Sequence, residues 1–172
     1  MKFSIIILFA FLFVACAPVK VRYDYDKTTK FSNYKTYQYF ADMQTGLSEF
    51  DTNRLLNAID LKMKTLGYRV TESPDFYIDI KSKAYQNPRQ SSIGVGLGGG
   101  GRNVGGGVSV GIPIGESEVN CMLTIDFVDQ GKNQLFWQAI SDFKFNSNQT
   151  PDQKEKKFKI VIEDVLSQYP PK

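Results

Sequence analysis

The sequence has no histidine, and its 172 residues include only two cysteines and one tryptophan. Without histidine the chain cannot form a Ser-His-Asp or Cys-His nucleophilic site, or a histidine-bearing metal site. The excess of positive over negative charge is also small, because the formal net charge is only +3. No basic arm concentrates that charge, so a nucleic-acid partner is not expected. Neither a cofactor nor a metal ion is predicted.

A long hydrophobic run is missing too, and the longest one stands at the N-terminus. Lys2 precedes apolar residues from Ile5 to Val14, whereas a bilayer-spanning helix needs roughly 20 residues. Such a short run is typical of a secretory signal peptide. Cys16 directly after Ala15 resembles the lipobox of bacterial lipoproteins, in which this cysteine is diacylated on sulfur. Residues 1–15 are therefore predicted to be a lipoprotein signal peptide; the alternative is a plain export signal with a chance cysteine.

The predicted lipid on Cys16 would attach the chain to a membrane, with residues 16–19 as lipidated terminus and tether. Two or more acyl chains make such an anchor stable, whereas one anchors only marginally. Ala17 stands where an inner-membrane retention signal has aspartate, so an outer-membrane location facing the periplasm is expected. With Cys16 acylated, Cys121 has no cysteine partner and no intramolecular disulfide is predicted. Cys121 falls in an apolar row and is interpreted as a small core residue.

Alternation of apolar and polar residues predicts strands in the mature chain. These strands cover residues 19–26, 34–40, 75–86, 118–129 and 134–145. Asp129-Gln130-Gly131-Lys132 between the last two strands indicates a hairpin turn. Residues on the predicted inner face of the third strand are Phe76, Ile78, Ile80 and Ala84.

Two helices are predicted from apolar stripes with a 3.6-residue period. The first runs towards Leu66, with Ser48 or Asp51 as its cap and Gly67 as the residue that ends it. The second begins at Pro151 with Thr150 as its cap. Residues 20–172 are therefore predicted to form a single α+β domain. It is a two-layer sandwich of a mainly antiparallel sheet with two amphipathic helices on one face, and it carries a long glycine-rich hairpin.

Several stretches in fixed order carry a family resemblance. They are "VRYDYDKTTKFSNYKTYQYF", "LGYRVTESPDFYIDI", "LTIDFVDQGKNQLFWQA" and "VLSQYPPK". From about Val21 to Pro171 the chain closely resembles the bacterial lipoproteins grouped as domain-of-unknown-function family 4136. The most telling pieces are Phe31-Ser-x-Tyr34-Lys-Thr-Tyr37, Pro74-Asp75, the Trp137 strand and the final Pro-Pro. The resemblance implies an envelope lipoprotein and brings no activity or site residues with it.

Glycine is concentrated in one place, with 11 of the 14 glycines in residues 94–115. Gly96 to Gly101 matches GxGxxG, but no helical pattern follows, so phosphate binding is not expected. The two arms alternate, and residues 91–115 are predicted to form a hairpin with one apolar and one nearly bare face. The alternative is a loosely ordered tip. The predicted interaction surface on the hairpin is Val95, Leu97, Arg102, Val108, Val110 and Ile112.

The predicted function is that of a non-enzymatic, lipid-anchored envelope protein with a structural or interaction role. Its expected partners are the membrane, through Cys16, and an envelope protein or a second copy, through the hairpin. One alternative is a carrier or sensor of a small apolar ligand held between helices and sheet. Another is a histidine-free hydrolase. It would use Ser32, in an S-x-x-K pattern, or a carboxylate pair, Asp24 with Asp26 or Asp75 with Asp79, all otherwise interpreted as solvated surface.

Overall fold

Six strands and two α-helices make up residues 19–85 and 118–171, the part of the chain described by the computed structural model. The strands are β1 (Lys20–Tyr25), β2 (Thr36–Tyr39), β3 (Arg69–Val70), β4 (Phe76–Tyr85), β5 (Glu118–Asp129) and β6 (Leu135–Asn146). The helices are α1 (Glu49–Thr65) and α2 (Pro151–Val165), and a 3₁₀ turn (Phe31–Asn33) precedes β2. The predicted signal peptide, Cys16 and the hairpin at 91–115 lie outside the described residues.

The strands form one sheet in the order β1-β6-β5-β4-β2-β3. β6 pairs antiparallel with β1 and with β5, and β5 pairs antiparallel with β4. β2 lies parallel to both β4 and β3. The predicted α+β class and the mainly antiparallel sheet are confirmed. The parallel pairs and the short β3 were not predicted. They arise because α1 is a crossover between β2 and the parallel strands β3 and β4, and the alternation of residues within a strand does not indicate such a crossover.

Both helices begin where the sequence predicted, because their caps are built from side chains. The Ser48 hydroxyl accepts a hydrogen bond from the Asp51 backbone N–H at 3.2 Å. Thr150 forms a capping box with Gln153, and Pro151 occupies the first turn. Gly67 adopts φ +86° just after α1, a left-handed conformation that favours glycine. Within the described residues, neither helix has the length and apolar content needed to cross a membrane.

The two helices run parallel to each other. Lys154 near the start of α2 reaches Asp51 near the start of α1 at 3.5 Å. Further along, Lys62 of α1 and Glu163 of α2 form an ion pair at 2.5 Å. Both helices therefore begin at the same end of the molecule.

The core lies between the helices and one face of the sheet. Side chains that are at most 1% exposed fill it from both layers: Leu55, Ile59, Met63, Phe158, Val161 and Ile162 from the helices, and Phe76, Ile78, Ile80, Leu123, Ile125 and Phe127 from the sheet. Cys121 is buried in the same cluster, as predicted. Ala84 lies on the predicted inner face, since it opposes the buried Cys121. It is nevertheless exposed, because β4 continues past the layer that the helices cover.

The hairpin between β5 and β6 is confirmed, and an irregularity follows it. Asn133 takes φ +52° in the turn, and its N–H donates to the Asp129 carbonyl at 2.9 Å. The register then shifts, since Phe127 opposes Trp137 while Val128 opposes Leu135. Phe136 is the extra residue of this bulge. Phe136 and Trp137 are consecutive yet both buried, which a period of two does not predict.

Candidate functional site

The strand register defines two ends of the sheet, which we call the tether end and the far end. At the tether end β1 begins, β4 ends, β5 begins and β6 ends. Lys20 lies opposite Asp142, Asp142 opposite Met122 and Met122 opposite Lys83. The far end carries the β5–β6 turn and the start of β4.

The base of the glycine-rich segment lies at the tether end. β4 and β5 stay paired up to Tyr85 and Asn120, so residues 85 and 118, which flank the segment that is not described, belong to neighbouring strands. Lys83 and Tyr85 are exposed although the ladder continues through them. The paired strands therefore project beyond the helix layer. The predicted contact residues lie outside the described residues: Val95, Leu97, Arg102, Val108, Val110 and Ile112.

The start of α1 lies at the same end because the preceding loop is fastened to β4. Ser82 donates its backbone N–H and its hydroxyl to the Thr45 carbonyl, each at 2.7 Å. Gly46 packs so closely on β4 that a Cβ atom there would lie 2.7 Å from the Ser82 carbonyl oxygen. Phe50 follows in the first turn of α1 and is 75% exposed. An aromatic ring is thus held near the tether end, in solvent.

Charged side chains at the tether end are engaged in surface pairs. Arg22 contacts Asp142 at 3.2 Å, and the Tyr85 hydroxyl donates to the same carboxylate at 3.1 Å. Lys144 pairs with Glu118 at 2.9 Å. Exposed pairs of this kind contribute at most about 1 kcal/mol each. These pairs therefore determine the charge distribution of the surface and contribute little to the folding stability of the protein.

The far end carries a polar pocket of about 500 Å³ that contains three carboxylates. Asp75 accepts hydrogen bonds from the Lys35 and Thr36 backbone N–H groups and from the Thr36 hydroxyl, each at 2.8 Å. Asp26 accepts from the Thr28 N–H at 2.8 Å and from its hydroxyl at 2.7 Å. The carboxylates therefore fasten turns together. Asp75 was interpreted as solvated surface, but these hydrogen bonds give it a structural role. For Asp26, the sequence signal that was missed is the Asx-turn pattern Asp26-Lys-Thr28.

The pKa values of these carboxyl groups follow from their hydrogen bonds. For Asp26 the hydrogen bond from the Thr28 side chain lowers the pKa. Burial raises the pKa of Asp75, but the donors from Lys35 and Thr36 outweigh it and the net pKa is below the ordinary value. Asp129 behaves likewise, since the Tyr34 hydroxyl and the Lys132 N–H outweigh burial and lower its pKa. All three therefore stay ionised at neutral pH.

Tyr34 links this polar pocket to the aromatic core. Its hydroxyl donates to Asp129 at 2.6 Å, and its ring stacks on Phe136 with centroids 4.2 Å apart. Burial raises the pKa of Tyr34, and the hydrogen bond to Asp129 raises it further. The residues that carry the family resemblance meet at this end, with Phe31 against Phe136 and against Tyr169, and Trp137 against Tyr169.

A second cleft at the far end, about 470 Å³, lies between β1 and the C-terminal segment. It is lined by Tyr23, Tyr25, Trp137, Ser167, Gln168, Pro170 and Pro171. The indole Nε1 of Trp137 is buried and has no hydrogen-bond partner. The Tyr23 hydroxyl donates to the Asp164 carbonyl at 3.4 Å, which holds the edge strand to the end of α2. The cleft is thus lined by three aromatic side chains, and one of them, Trp137, carries a buried unpaired donor.

The hydrolase candidates are not brought together by the structure. Ser32 is exposed in the 3₁₀ turn, and Lys35 follows it towards β2. Asp75 directly precedes β4 and Asp79 lies four residues further along the extended chain, about 13 Å away. Asp24 accepts from the Tyr25 N–H at 2.9 Å, and Asp79 contacts Lys81 at 2.5 Å. Across residues 19–85 and 118–171, no group of three Cys, Asp or Glu side chains is arranged to hold a metal ion.

Comparison with known proteins identifies a family. The family model described as "Domain of unknown function (DUF4136)" matches residues 21–171, which confirms the resemblance found in the sequence. A comparison with curated proteins found no match.

Solved structures share the fold at low identity. One is a "PDZ domain protein" from Parabacteroides distasonis, with a TM-score of 0.58 and 15% identity over 90% of this chain. The chain spans only 36% of that protein's length. Two crystal forms of a "PelC dodecamer" from Paraburkholderia phytofirmans match with TM-scores of 0.50 and 0.51 and identities of 10% and 11%. Both matches cover 87% of this chain, and they cover 95% and 96% of the respective PelC chains. At such identity the likeness concerns the fold alone.

Proposed function

The chain belongs to the DUF4136 family, and from that premise we propose that it is a lipid-anchored, non-catalytic contact module of the bacterial envelope. The observation that carries the proposal is the register of the sheet. It brings the start of β1, which follows Cys16, and both ends of the glycine-rich segment to one end of the domain. This register supports an anchor and a contact element at the same end of the domain.

Cys16 is the proposed attachment point. Diacylated on sulfur after removal of residues 1–15, it would join the domain to the outer membrane on its periplasmic side. Two or more acyl chains suffice for stable anchoring. Replacing Cys16 by serine should move the protein from the membrane fraction to the released fraction, as followed by fractionation and by the mass of the mature N-terminus.

The proposed contact element is the segment at 91–115, with Val95, Leu97, Arg102, Val108, Val110 and Ile112 as its contact residues. The proposed partner is an envelope protein or a second copy of this chain. The Paraburkholderia neighbours are described as dodecamers, and self-association of this chain is one form that the contact could take. Glycine on one face of each arm would let another backbone approach closely.

The use of the carboxylates supports a non-catalytic role. A general acid or base works best with a pKa near the operating pH. Asp26, Asp75 and Asp129 instead have lowered pKa values, because each accepts hydrogen bonds that stabilise its ionised form. Their role is to hold turns together.

Photo-crosslinking in cells tests the proposal, with the probe at Val110 of the full-length protein and a control probe at Gln130 in the far-end turn. A discrete protein adduct at Val110 that is absent at Gln130 supports it. An adduct with twice the mass of the chain identifies self-association. Equal adducts at both positions, or none at Val110, overturn the contact role of the segment. The Cys16 substitution tests the anchor separately.

A second candidate function is favoured by the cleft beside Trp137. The layer between helices and sheet is filled by side chains, so a small apolar ligand would enter at the far end, where Tyr23, Tyr25 and Pro170 form walls. An acceptor atom on such a ligand would satisfy the unpaired indole Nε1. Native mass spectrometry of the purified protein tests this carrier role. A bound apolar molecule that is lost in Tyr25→Ser supports it, whereas repeated recovery of the empty protein rejects it.

A further inference from the structure

The start of β1 limits how far the domain can stand from an anchored Cys16. Lys20 is the first residue of β1 and comes four residues after Cys16. A fully extended chain spans at most about 3.6 Å per residue, so these residues can be at most about 14 Å apart. The edge of the sheet at Lys20 therefore lies close to the lipid whatever path residues 17–19 take.

The far end cannot come equally close while the tether end faces the bilayer. Met122 shares a row with Lys20 through Asp142, and Asp129 lies seven residues further along β5. At about 3.4 Å per residue the far end stands roughly 24 Å beyond that row. Tyr25, Val70 and Leu135, which are exposed apolar residues of the far end, are then held away from the membrane.

Lying flat on the open face of the sheet is the competing orientation. Lys20, Arg22, Lys81 and Lys83 also lie on this face, but in rows nearer the tether end, and lying flat would bring the next row onto the lipid as well. The register places Asp24, Gln138, Asp126 and Asp79 in one row across that face. Only Gln138 in this row is uncharged, and it donates to Asp126 at 2.7 Å. A row of carboxylates is repelled by the anionic headgroups of a membrane.

Phe50 is the side chain that suits the lipid at the tether end. The loop before it is fastened to Ser82, which lies level with Val21 through Leu123 and Ser141. Helical side chains tilt towards the helix N-terminus, here towards the tether end. Phe50 is 75% exposed, the highest value among the exposed large apolar residues described. Aromatic rings favour the membrane interface, and the exposed lysines at 20 and 83 suit anionic headgroups.

We propose that the tether end docks on the anionic surface of the membrane, with Phe50 inserted at the headgroups and Lys20 and Lys83 beside the phosphates. The inference rests on the proposed acylation of Cys16 and adds an orientation to it. The far-end clefts then point away from the bilayer, whereas the proposed contact element at 91–115 would meet its partner close to the membrane surface.

Site-directed quenching tests this orientation on the full-length acylated protein in phosphatidylethanolamine–phosphatidylglycerol vesicles that contain a headgroup nitroxide lipid. A fluorophore is attached to Phe50→Cys, and in control proteins to Lys132→Cys at the far-end turn or Asp24→Cys on the open face. Cys121 stays unlabelled because it is buried and burial raises the pKa of its thiol to about 11. All three labelled positions are exposed, so the substitutions should leave the fold intact.

The expected result is quenching at position 50 at least about threefold stronger than at 132 and at 24. Quenching at 24 equal to that at 50 would show a domain lying flat and would overturn the inference, as would equal or weaker quenching at 50 than at 132. The mass of the purified protein and its flotation with vesicles test the acyl anchor separately from the orientation. An acylated, floating protein without quenching at 50 rejects only the orientation, whereas a chain without the acyl mass rejects the anchor and the orientation with it.

Discussion

The two ends of the sheet differ in how densely aromatic side chains pack. At the far end the ring of Phe76 lies within 6.0 Å of five other aromatic rings, those of Tyr34, Tyr37, Tyr68, Phe127 and Phe136. At the tether end Phe145 has one aromatic neighbour among the described residues, Phe158, with ring centroids 5.5 Å apart, and residues 83–85 of β4 are exposed although paired. One end holds the fold together, while the other leaves surface available for contact.

Packing explains the difference in stability that we expect between these ends. Aromatic pairs at such distances add about 0.5–1.5 kcal/mol each beyond the burial of their surface. The tether end relies more on surface ion pairs and on loop contacts to β4. The contacts proposed for the tether end would leave this stabilising aromatic cluster undisturbed.

The largest effect should come from the centre of the aromatic cluster. Phe76→Ala should lower the free energy of unfolding by about 3–5 kcal/mol, because it leaves a cavity among rings that are fully buried. Phe50→Ala, the matched change at the tether end, should shift it by about 0.5 kcal/mol or less. Urea unfolding followed by Trp137 fluorescence measures both. Similar losses for the two variants would contradict the contrast between the ends.

Two glycines give a matched comparison of backbone fit. Gly46→Ala should cost about 2–4 kcal/mol, since φ is +75° and the new Cβ would meet the Ser82 carbonyl oxygen. Gly67→Ala should cost only about 1–2 kcal/mol, since its φ of +86° is strained but nothing lies within 4 Å of its Cβ position. Thermal unfolding of both variants tests the order. A larger loss at residue 67 would show that the Thr45–Ser82 contact does not fasten the tether end.

The carboxylates of the far end predict a dependence of stability on acid. Since the folded pKa values of Asp26, Asp75 and Asp129 lie below the ordinary 3.8, their contribution is present above that pH and is lost as the pH falls through the folded values. Asp75→Ala should cost about 1–3 kcal/mol at neutral pH, because three donors lose their acceptor. Asp75→Asn should flatten the fall in stability between pH 5 and about 2. An unchanged acid profile in Asp75→Asn would contradict the assigned role.

The smallest effect concerns Cys121, which lies in the core near the tether end. Burial raises the pKa of its thiol to about 11, so a thiol reagent at pH 8 should react with it far more slowly than with a free thiol. Reaction rates measured at increasing urea concentration show whether local or global unfolding exposes the Cys121 thiol. A rate that rises only with global unfolding would mean that the tether end is as firmly held as the far end, and would weaken the comparison.

Much of this architecture is readable from residue spacing alone. The stripes ending near Leu66 and starting at Pro151 give both helices, and Ser48 and Thr150 give their first residues, because caps and periods are local properties. The alternation through Leu123 and Phe127 likewise gives the buried face of β5. Local patterns carry this information without any knowledge of the partner element.

What the spacing could not show depends on contacts between distant residues. The parallel pairing of β2 with β4 depends on the α1 crossover, and the bulge at Phe136 depends on the register with β5. The placement of Phe50 and Lys20 at one end required the register of four strands. The predicted contact residues at 91–115 and Cys16 lie outside the described residues, so their roles stay predictions.

The pairing of β1 has a consequence for the order in which the protein assembles. β1 is the first of the described strands along the chain, but the strand that it pairs with in the described sheet is β6, and Lys20 lies opposite Asp142 across 122 residues of sequence. Contacts so distant in sequence form late, because closing a long loop costs entropy before the contact repays it. The described sheet would thus be completed last at β1, the strand nearest the proposed anchor at Cys16.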